Sequence, residues 1–355
     1  MALQSSSKIS FSDIIQEFGD SSPNEDGSSL GNYRVSETYG EMVNIPLDTG
    51  IPQSGPIAFS DFYGKQLNMI VNFYDGGAET KKNMKTRFNN ANQVSVVGGF
   101  ISPRPAITGG SNDQSRKRVV IHVNKTIGLD STYTSGIDKT DYKWKPPNDR
   151  NEVSIKTGNW DTGTVLDLYV GSSGHITGAG GAGGRNGTDD SSPSSGDDGT
   201  SALGATYPLN IYNYGKISGG GGGGNGSSFS KSRIRSYGRR RFIFRRQYRR
   251  RDSRDANGGA GGGGAGYPGG PGGANRHIGS STPSQTGTLT SGGAGGAGTG
   301  RGASAGTNGG GPGENADGNA GGNAGYAIII SGGGSATVIA GGNNILGDTH
   351  NGQFN

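Results

Sequence analysis

The sequence is defined first by what it lacks. It contains no cysteine in 355 residues, which excludes disulfide bonds and thiolate metal sites. Proline occurs at only 14 positions, and hydrophobic residues make up 29% of the chain, a smaller share than globular proteins usually have. No apolar run reaches the length of a transmembrane helix, and the N-terminus does not have the pattern of a signal peptide. We therefore expect a protein without a membrane span that is made in a cytoplasm.

Signatures of catalysis are also scarce. The four histidines are far apart in sequence and show no metal-ligand spacing. The many Gly-x-Gly-x-x-Gly matches follow from the composition, because no strand-helix-strand unit surrounds them. The acidic stretch from Asp189 to Asp198 has enough oxygen ligands for calcium but not the spacing of an EF-hand, and a solvated loop explains it better. The sequence predicts neither an enzyme nor a cofactor or metal site. The histidines are His122, His175, His277 and His350.

Glycine is the abundant residue, with 73 copies, of which 54 follow His175. Many are spaced by three, as in the run Gly178, Gly181, Gly184 and Gly187. A period of three matches neither the α-helix nor the β-strand. It matches an extended left-handed helix that has no internal hydrogen bonds, so its backbone groups need partners in neighbouring segments or in water. We predict a lattice of polyglycine-II-like helices, with a disordered tail as the alternative.

The composition divides the chain into three parts. Residues 1–65 are predicted to form an N-terminal docking module, 66–176 a β-rich domain, and 177–355 a glycine-rich domain with display loops. Short alternating strands separated by turn residues favour a small antiparallel sandwich for the middle part. The predicted fold is therefore mainly β and irregular, a small antiparallel β domain plus a lattice of polyglycine-II-like helices, with little α-helix. The glycine tracts are 178–187, 219–226, 257–275 and 292–325, and two apolar strands close the chain after them.

The docking module contains two related apolar segments. The stretch 9–19 predicts one amphipathic helix with Ser10 or Ser12 as its N-cap and Gly19 as its stop. A second Phe-Ser-Asp sequence follows at 59–61. Because so few apolar residues cannot form an independent core, we expect them to bind the β domain or a partner subunit. The predicted attachment residues are Phe11, Ile14, Ile15, Phe18, Phe59, Phe62 and Tyr63.

The net charge of +5 conceals one strongly basic insert at 229–254. This insert carries eleven arginines and Lys231 against Asp252, a charge of +11, so the remaining chain carries 5 − 11 = −6. Arginines interleaved with aromatic rings can neutralise anions while the rings stack on bases or sugars. The alternative is a hairpin whose arginines pair with acidic parts of the assembly. The predicted binding residues are Tyr237, Arg239, Arg240, Arg241, Phe242, Phe244, Arg245, Arg246, Tyr248, Arg249, Arg250 and Arg251.

The order of tracts and loops resembles the glycine-rich receptor-binding proteins of tailed phages. These include the polyglycine-sandwich adhesins of long tail fibres and tail proteins of marine and cyanobacterial phages. The resemblance rests on the glycine runs at 178–184, 214–224 and 258–270 and on the Gly-Tyr-Ala-Ile sequence that ends at 328. It implies that loops between packed polyglycine helices contact the host surface, here 188–205, 227–256 and 276–291. The arginine insert has no counterpart in that pattern.

Three functions compete at this point. The first is a virion tail adhesin or tail-tip protein that binds a host polysaccharide or envelope protein and joins other fibre or baseplate proteins. The second is a purely structural virion component. The third is a glycine/arginine-rich nucleic-acid-binding protein, which the absence of any Arg-Gly-Gly tripeptide disfavours. If each tract is one rod antiparallel to the next, loops 188–218 and 276–291 share one end and 227–256 lies at the other.

Overall fold

The computed structural model describes the chain in separate stretches and includes fifteen strands, one α-helix and two 3-10 helices. The protein is mainly β with little helix, as the sequence predicts. The described residues are 3–18, 30, 51–52, 54–65, 69–74, 79–80, 82–84, 86, 118–129, 149–160, 162–187, 192–228, 258–273, 283–299, 303–318 and 320–354. The strands are β1 (Met69–Tyr74), β2 (Glu79–Thr80), β3 (Lys82–Asn83), β4 (Arg118–Val123), β5 (Thr126–Gly128), β6 (Val153–Lys156), β7 (Val165–Val170), β8 (His175–Thr177), β9 (Ser201–Ala205), β10 (Pro208–Asn213), β11 (Lys216–Ser218), β12 (Ile328–Ile330), β13 (Ser335–Ala340), β14 (Ile345–Leu346) and β15 (Thr349–Asn351).

The described strands form three five-stranded sheets in which all neighbours are parallel. Sheet 1 has the order β1-β4-β7-β10-β13. Sheet 2 contains β2, β5, β8, β11 and β14, and sheet 3 contains β3, β6, β9, β12 and β15. The chain visits sheets 1, 2 and 3 in turn and then repeats the circuit. Three consecutive strands therefore form one coil of a three-sided β-solenoid.

Apolar side chains in register fill the interior of the solenoid. In sheet 1, Ile121 pairs with Leu168, which pairs with Ile211, and all three are fully buried. In sheet 2, Ile127 pairs with Ile176, and both are likewise buried. Burying one such side chain stabilises the folded state by about 1.5–3 kcal/mol. The repeated stacking of branched side chains, one per coil, holds the parallel strands in register.

The antiparallel sandwich predicted for residues 66–176 is wrong, because the strands there pair in parallel. Short strands with alternating apolar residues look the same in sequence whether the next strand reverses or starts a new sheet. Turn residues between such strands show where the chain changes direction but not whether the next strand pairs with the one before it. In a solenoid the chain instead turns a corner into the adjoining sheet, and the parallel partner comes one full coil later.

The solenoid also continues beyond the predicted β domain. Strands β9, β10 and β11 lie within 188–218, a segment predicted to be a loop. The two closing strands exist as β12 and β13, but they belong to different sheets and extend the solenoid instead of pairing with each other. Strands on both sides of residue 176 thus share sheets, while the three-part division of the chain stays a prediction.

The N-terminal segment contains helix α1 (Phe11–Phe18), which confirms the predicted helix. Ser10 is its N-cap, because its Oγ accepts a hydrogen bond from the Asp13 backbone N–H at 3.2 Å. The predicted stop at Gly19 lies outside the described residues. Ile14 and Phe62 are fully buried and belong to the same hydrophobic cluster as the solenoid interior. Within the described stretches, no helix is long and apolar enough to span a membrane.

Candidate functional site

The glycine-rich region consists of extended segments joined by hydrogen bonds, and we name nine of them within the described chain. Segments A and B connect β8 to β9, while C to I connect β11 to β12. We call the whole region the glycine block. In each of two successive coils, part of it is inserted between the strand of sheet 2 and the strand of sheet 3. The segments are A (178–187), B (192–200), C (219–228), D (258–266), E (268–273), F (283–288), G (291–299), H (303–311) and I (321–326).

Segments A and C run in the same direction with a repeat of three residues. The backbone N–H of Gly181 donates to the carbonyl of Gly221 at 2.8 Å, and that of Gly184 donates to Gly224 at 2.7 Å. The next residue of this series, Gly187, donates to Ser227 at 3.0 Å. The series continues the parallel pairing of β8 with β11 directly into the glycine block.

Segment D lies at the centre of the block. The N–H groups of Gly261, Gly262 and Gly263 donate to segments A, H and F, at 2.8, 2.9 and 3.0 Å. The carbonyls of the same three residues accept hydrogen bonds from E, C and G, at 2.8, 2.7 and 2.7 Å. One three-residue repeat of D therefore contacts six neighbouring segments within the described part of the block. The backbone N–H and C=O groups of these segments have no partners within an α-helix or a β-sheet. They form hydrogen bonds with neighbouring segments instead.

Such close approach between backbones explains the glycines. A Cβ atom added to Gly222 would lie 1.9 Å from the carbonyl oxygen of Gly322. At Gly223 the added atom would lie 1.8 Å from the carbonyl oxygen of Ala182. Both distances are far below van der Waals contact, and the obstructing atoms belong to the backbone. Any side chain at these positions would force neighbouring segments apart.

The end of the block that lies away from the solenoid is formed by the end of A, the end of C and the starts of D and H. Gly187 donates to Ser227, and the N–H of Gly258 points back to Gly187 at 3.4 Å. Beside them, the N–H of Gly259 donates to Ser304 at 2.9 Å. We call this the distal end. It borders the segments 188–191, 229–257 and 300–302. Segment E ends one repeat before it, where the Gly273 N–H donates to the Gly261 carbonyl at 2.8 Å.

The predicted arrangement, with 227–256 opposite to 188–218, is therefore wrong. Between A and C the chain runs back along segment B and then passes through β9, β10 and β11, so A and C become parallel. Segment B has only two glycines, Gly196 and Gly199, and was interpreted as part of a loop. The predicted loop 276–291 likewise contains segment F and the turn that follows it.

The opposite end of the block stands on the corner between sheets 2 and 3. Leu129, just after β5, donates to the carbonyl of Tyr267 at 2.9 Å, between D and E. Gly219, at the start of C, donates to the Leu346 carbonyl of β14 at 3.1 Å. These bonds connect the block to the second and the last coil, so the solenoid fixes the direction in which the distal end points.

The acidic stretch is divided between described and undescribed residues. Asp197 lies within segment B, where its N–H donates to Ala182 at 2.9 Å. The Oδ1 atom of Asp198 accepts from the Asn323 backbone N–H at 2.6 Å and from its side-chain amide at 3.1 Å. Asp189 and Asp190 lie outside the described residues. Within the described ranges, no three histidine, aspartate or glutamate side chains form a group that could hold a metal ion.

The predicted binding residues all lie outside the described residues, since the arginine insert at 229–254 falls in the interval between segments C and D. The structure nevertheless places the two residues that border this interval, Ser228 and Gly258, beside the distal end.

The predicted attachment residues are partly brought together. The rings of Phe11 and Phe59 make an edge-to-face contact, with centroids 6.2 Å apart. Ile14 and Phe62 are buried, whereas Phe59 is 40% exposed and Tyr63 is 37% exposed. The backbone of Ile15 and Phe18 belongs to α1, and their side chains lie outside the described part. The N-terminal segment thus has two buried side chains, Ile14 and Phe62, and two exposed rings, those of Phe59 and Tyr63.

The two Phe-Ser-Asp sequences form the same local structure. The Oδ2 atom of Asp13 accepts from the Ser10 backbone N–H at 2.8 Å, and that of Asp61 accepts from Ala58 at 2.8 Å. Each carboxylate closes the first turn of a short helix, the second being the 3-10 helix Phe59–Phe62. Hydrogen bonds from the Ser10 backbone and hydroxyl lower the pKa of Asp13.

An aromatic stack at the base of segment I was not anticipated from the sequence. The Tyr326 ring stacks on His350, with centroids 4.4 Å apart, and the Arg150 guanidinium carbon lies 4.1 Å from the Tyr326 ring centroid. Stacks and cation–π contacts of this kind stabilise by roughly 0.5–1.5 kcal/mol each. They join the end of the glycine block to sheet 3. The three residues are far apart in sequence, and no spacing signals their contact.

Residues 83–350 match the model of a protein family described as phage tail fibre adhesin Gp38. The chain belongs to this family. The match includes almost all of the solenoid and the entire glycine block, while residues 1–82 precede it. The resemblance inferred from the glycine tracts is confirmed, and the protein is a phage tail adhesin.

One solved structure with a similar chain is the gp37-gp38 adhesin tip complex of the bacteriophage S16 long tail fibre. The similarity covers 83% of the adhesin described here and 88% of that chain, with 19% identity and a TM-score of 0.43. A search of curated protein sequences gives no match.

Proposed function

We propose that this adhesin binds the host cell surface through the segments that start and end at the distal end of the glycine block. In this proposal the glycine segments are polyglycine II helices packed in a lattice. The repeat of three in their hydrogen bonds and the six neighbours of segment D support this assignment. The lattice is a rigid scaffold, and the segments 188–191, 229–257, 274–282 and 300–302 are its receptor-binding loops.

The contact between Gly187 and Ser227 carries the proposal. Because of it, the chain leaves segments A and C at the same place, and the acidic and basic inserts emerge side by side. Recognition by several loops at the end of a rigid scaffold is a common way to bind a partner. Loops that emerged at opposite ends could not contact one surface together.

The basic insert supplies the main contacts in this proposal. Its arginines bind anionic groups of a host polysaccharide or envelope protein, and its aromatic residues stack on sugar rings. None of the segments A to I carries a positive charge comparable to that of the insert. Arg239, Arg240 and Arg241 form its central basic run.

The N-terminal segment joins the adhesin to other tail proteins of the fibre or baseplate. The exposed rings of Phe59 and Tyr63 support this role, since the glycine block offers few apolar side chains. The similar S16 chain was solved as a complex of gp37 and gp38. The adhesin would be made in the host cytoplasm and assembled into the virion tail.

The test is a binding assay of the purified full chain on host cells. Replacement of the insert 229–254 by a short glycine-serine linker should abolish binding and leave the circular dichroism spectrum unchanged. A control variant, Gly333→Ala, changes an exposed residue with nothing within 4 Å of the added Cβ and should bind like the original protein. Retention of full affinity by the insert variant would disprove the assignment of the basic insert to host recognition.

A further inference from the structure

The corner between sheets 1 and 2 presents an aromatic ring to solvent. The chain passes this corner at 171–174 in the third coil, at 214–215 in the fourth and at 341–344 in the fifth. Tyr214 lies at the corner of the fourth coil and is 51% exposed. A single exposed aromatic residue is common in proteins, so its surroundings decide whether it belongs to a binding site.

The Tyr214 ring is held in place from one side. It packs against the ring of Tyr169, with centroids 5.2 Å apart and an interplanar angle of 34°. Tyr169 in turn makes an edge-to-face contact with the buried His122, again with centroids 5.2 Å apart. The backbone N–H of Tyr214 also donates to the Val170 carbonyl at 2.7 Å. A ring that is fixed before binding loses little conformational freedom when a ligand packs on its other face.

Uncharged polar residues flank this ring. The corner of the third coil contributes two serines and that of the fifth coil two asparagines, and all four residues are exposed. Hydroxyl and amide groups both donate and accept hydrogen bonds. Lys125 lies in the corner of the second coil, and the three later corners carry no charge. The four polar residues are Ser172, Ser173, Asn343 and Asn344.

Backbone contacts stack the three corners on one another. A Cβ atom added to Gly215 would lie 2.1 Å from the carbonyl oxygen of Gly174. On the other side, the Asn213 side-chain amide donates to the Gly341 carbonyl at 3.3 Å. Neighbouring coils are roughly 5 Å apart, so the serines and asparagines lie within reach of a ligand that covers the Tyr214 ring. We call these three corners the aromatic corner.

We propose that the aromatic corner binds an uncharged sugar unit of a polysaccharide. One face of a sugar ring presents C–H groups, which pack on an aromatic face. The hydroxyl groups at its edge form hydrogen bonds with serine and asparagine side chains. Small-ligand sites combine apolar surface with a few polar groups that fix the orientation of the ligand. The uncharged corner fits a neutral sugar, whereas the arginine insert fits anionic groups.

This site is separate from the distal end. The glycine block stands on the corner between sheets 2 and 3, while the aromatic corner joins sheets 1 and 2. The inference therefore goes beyond the proposed function, which assigns recognition to the loops of the block. In this arrangement the solenoid binds sugar itself, in addition to supporting the block.

The test uses neutral oligosaccharides that are released from host envelope polysaccharide by mild acid and separated from charged ones by anion exchange. Isothermal titration and saturation-transfer NMR measure their binding to the full chain. Tyr214→Ala should weaken binding about tenfold, whereas Tyr214→Phe keeps the ring and should retain most of the affinity. Val165→Ala is the matched control, since Val165 is 44% exposed at the start of β7, away from the corner. It should bind like the original chain.

Replacement of the insert 229–254 distinguishes the two sites. This variant should bind the neutral oligosaccharides like the original chain and fail to bind cells. The proposal would be overturned by loss of neutral sugar binding in the insert variant, by equal binding of Tyr214→Ala and the original chain, or by an original chain that does not bind. Reduced virion incorporation of Tyr214→Ala with unchanged sugar binding would mean that the corner contacts a tail protein, which also overturns it. Full cell binding by the insert variant would overturn the proposed function alone.

Discussion

Gly187 donates a backbone hydrogen bond to the carbonyl of Ser227 over 3.0 Å, at the place where both residues lead out of the glycine block. This bond fixes the two departing chains side by side. The ends of segments A and C, which could not be related to each other from sequence, thereby lie at one place.

The first prediction concerns the spacing of the glycine segments. Gly223→Ala should destabilise the protein by about 3 kcal/mol, at the upper end of overpacking effects, because the new Cβ lies 1.8 Å from the Ala182 carbonyl. Gly333→Ala is the control, since nothing lies within 4 Å of its added Cβ. Denaturant unfolding of the two variants measures the difference. Equal stability would mean that segments A and C are not in contact.

The second prediction concerns the basic insert. Binding to an anionic surface releases counterions, so affinity should fall steeply as salt is added. Alanine at Arg239, Arg240 and Arg241 should flatten that dependence, and the same residues changed to lysine should retain most of it. Titration of host cells or isolated envelope at several salt concentrations provides the slopes. If the alanine variant keeps the original slope, these arginines do not touch the anionic partner.

The third prediction separates docking from stability in the N-terminal segment. Phe59→Ala combined with Tyr63→Ala should abolish incorporation into virions and lower the melting temperature less than Phe62→Ala, because both rings are partly exposed. Phe62→Ala should lower the free energy of unfolding by about 3–5 kcal/mol, since the ring is fully buried. Virion incorporation and thermal melts are measured for both. Normal incorporation of the double variant would move the attachment surface elsewhere.

The fourth prediction is a pH dependence. Burial lowers the pKa of His175, and the positive charge of Lys216 lowers it further. The unfolded chain then binds more protons than the folded one below its ordinary pKa of about 6.5. Stability contributed by neutral His175 is present above that pH and is lost as pH falls toward the folded-state pKa. In His175→Gln, the melting temperatures measured above and below pH 6.5 should differ less than in the original protein. An unchanged pH dependence would mean that His175 does not cause it.

Sequence reasoning identified the period of three correctly, because glycine is needed wherever two backbones approach. Gly181 and Gly184 of segment A donate to partners at the same spacing in segment C. For the same physical reason, the sequence did not predict segment B as one of the extended segments of the block. It contacts A, C and I but not the centre of the block, so glycine is required only at Gly196 and Gly199, and the other positions accept polar side chains.

The direction of the β-strands could not be read from the sequence either. Ile121 and Leu168 face the interior at the same register, but the same alternation occurs in antiparallel sheets. Helix α1 could be predicted from the sequence, because Ser10 and Asp13 form a local cap that does not depend on residues far away in the chain. Contacts such as that between Tyr326 and His350 join residues whose proximity is determined by the whole solenoid.

The parallel bonding of segments A and C also determines how the adhesin carries mechanical load. Under the proposed function, a virion tethered to a cell would pull on the distal end along the length of the segments, away from the solenoid corner. The bonds from Gly178, Gly181, Gly184 and Gly187 to segment C lie across that direction. Tension then acts on them in shear, so they must break together and cannot open one after another. In that arrangement, many individually weak bonds together would resist a pull that none of them could resist alone.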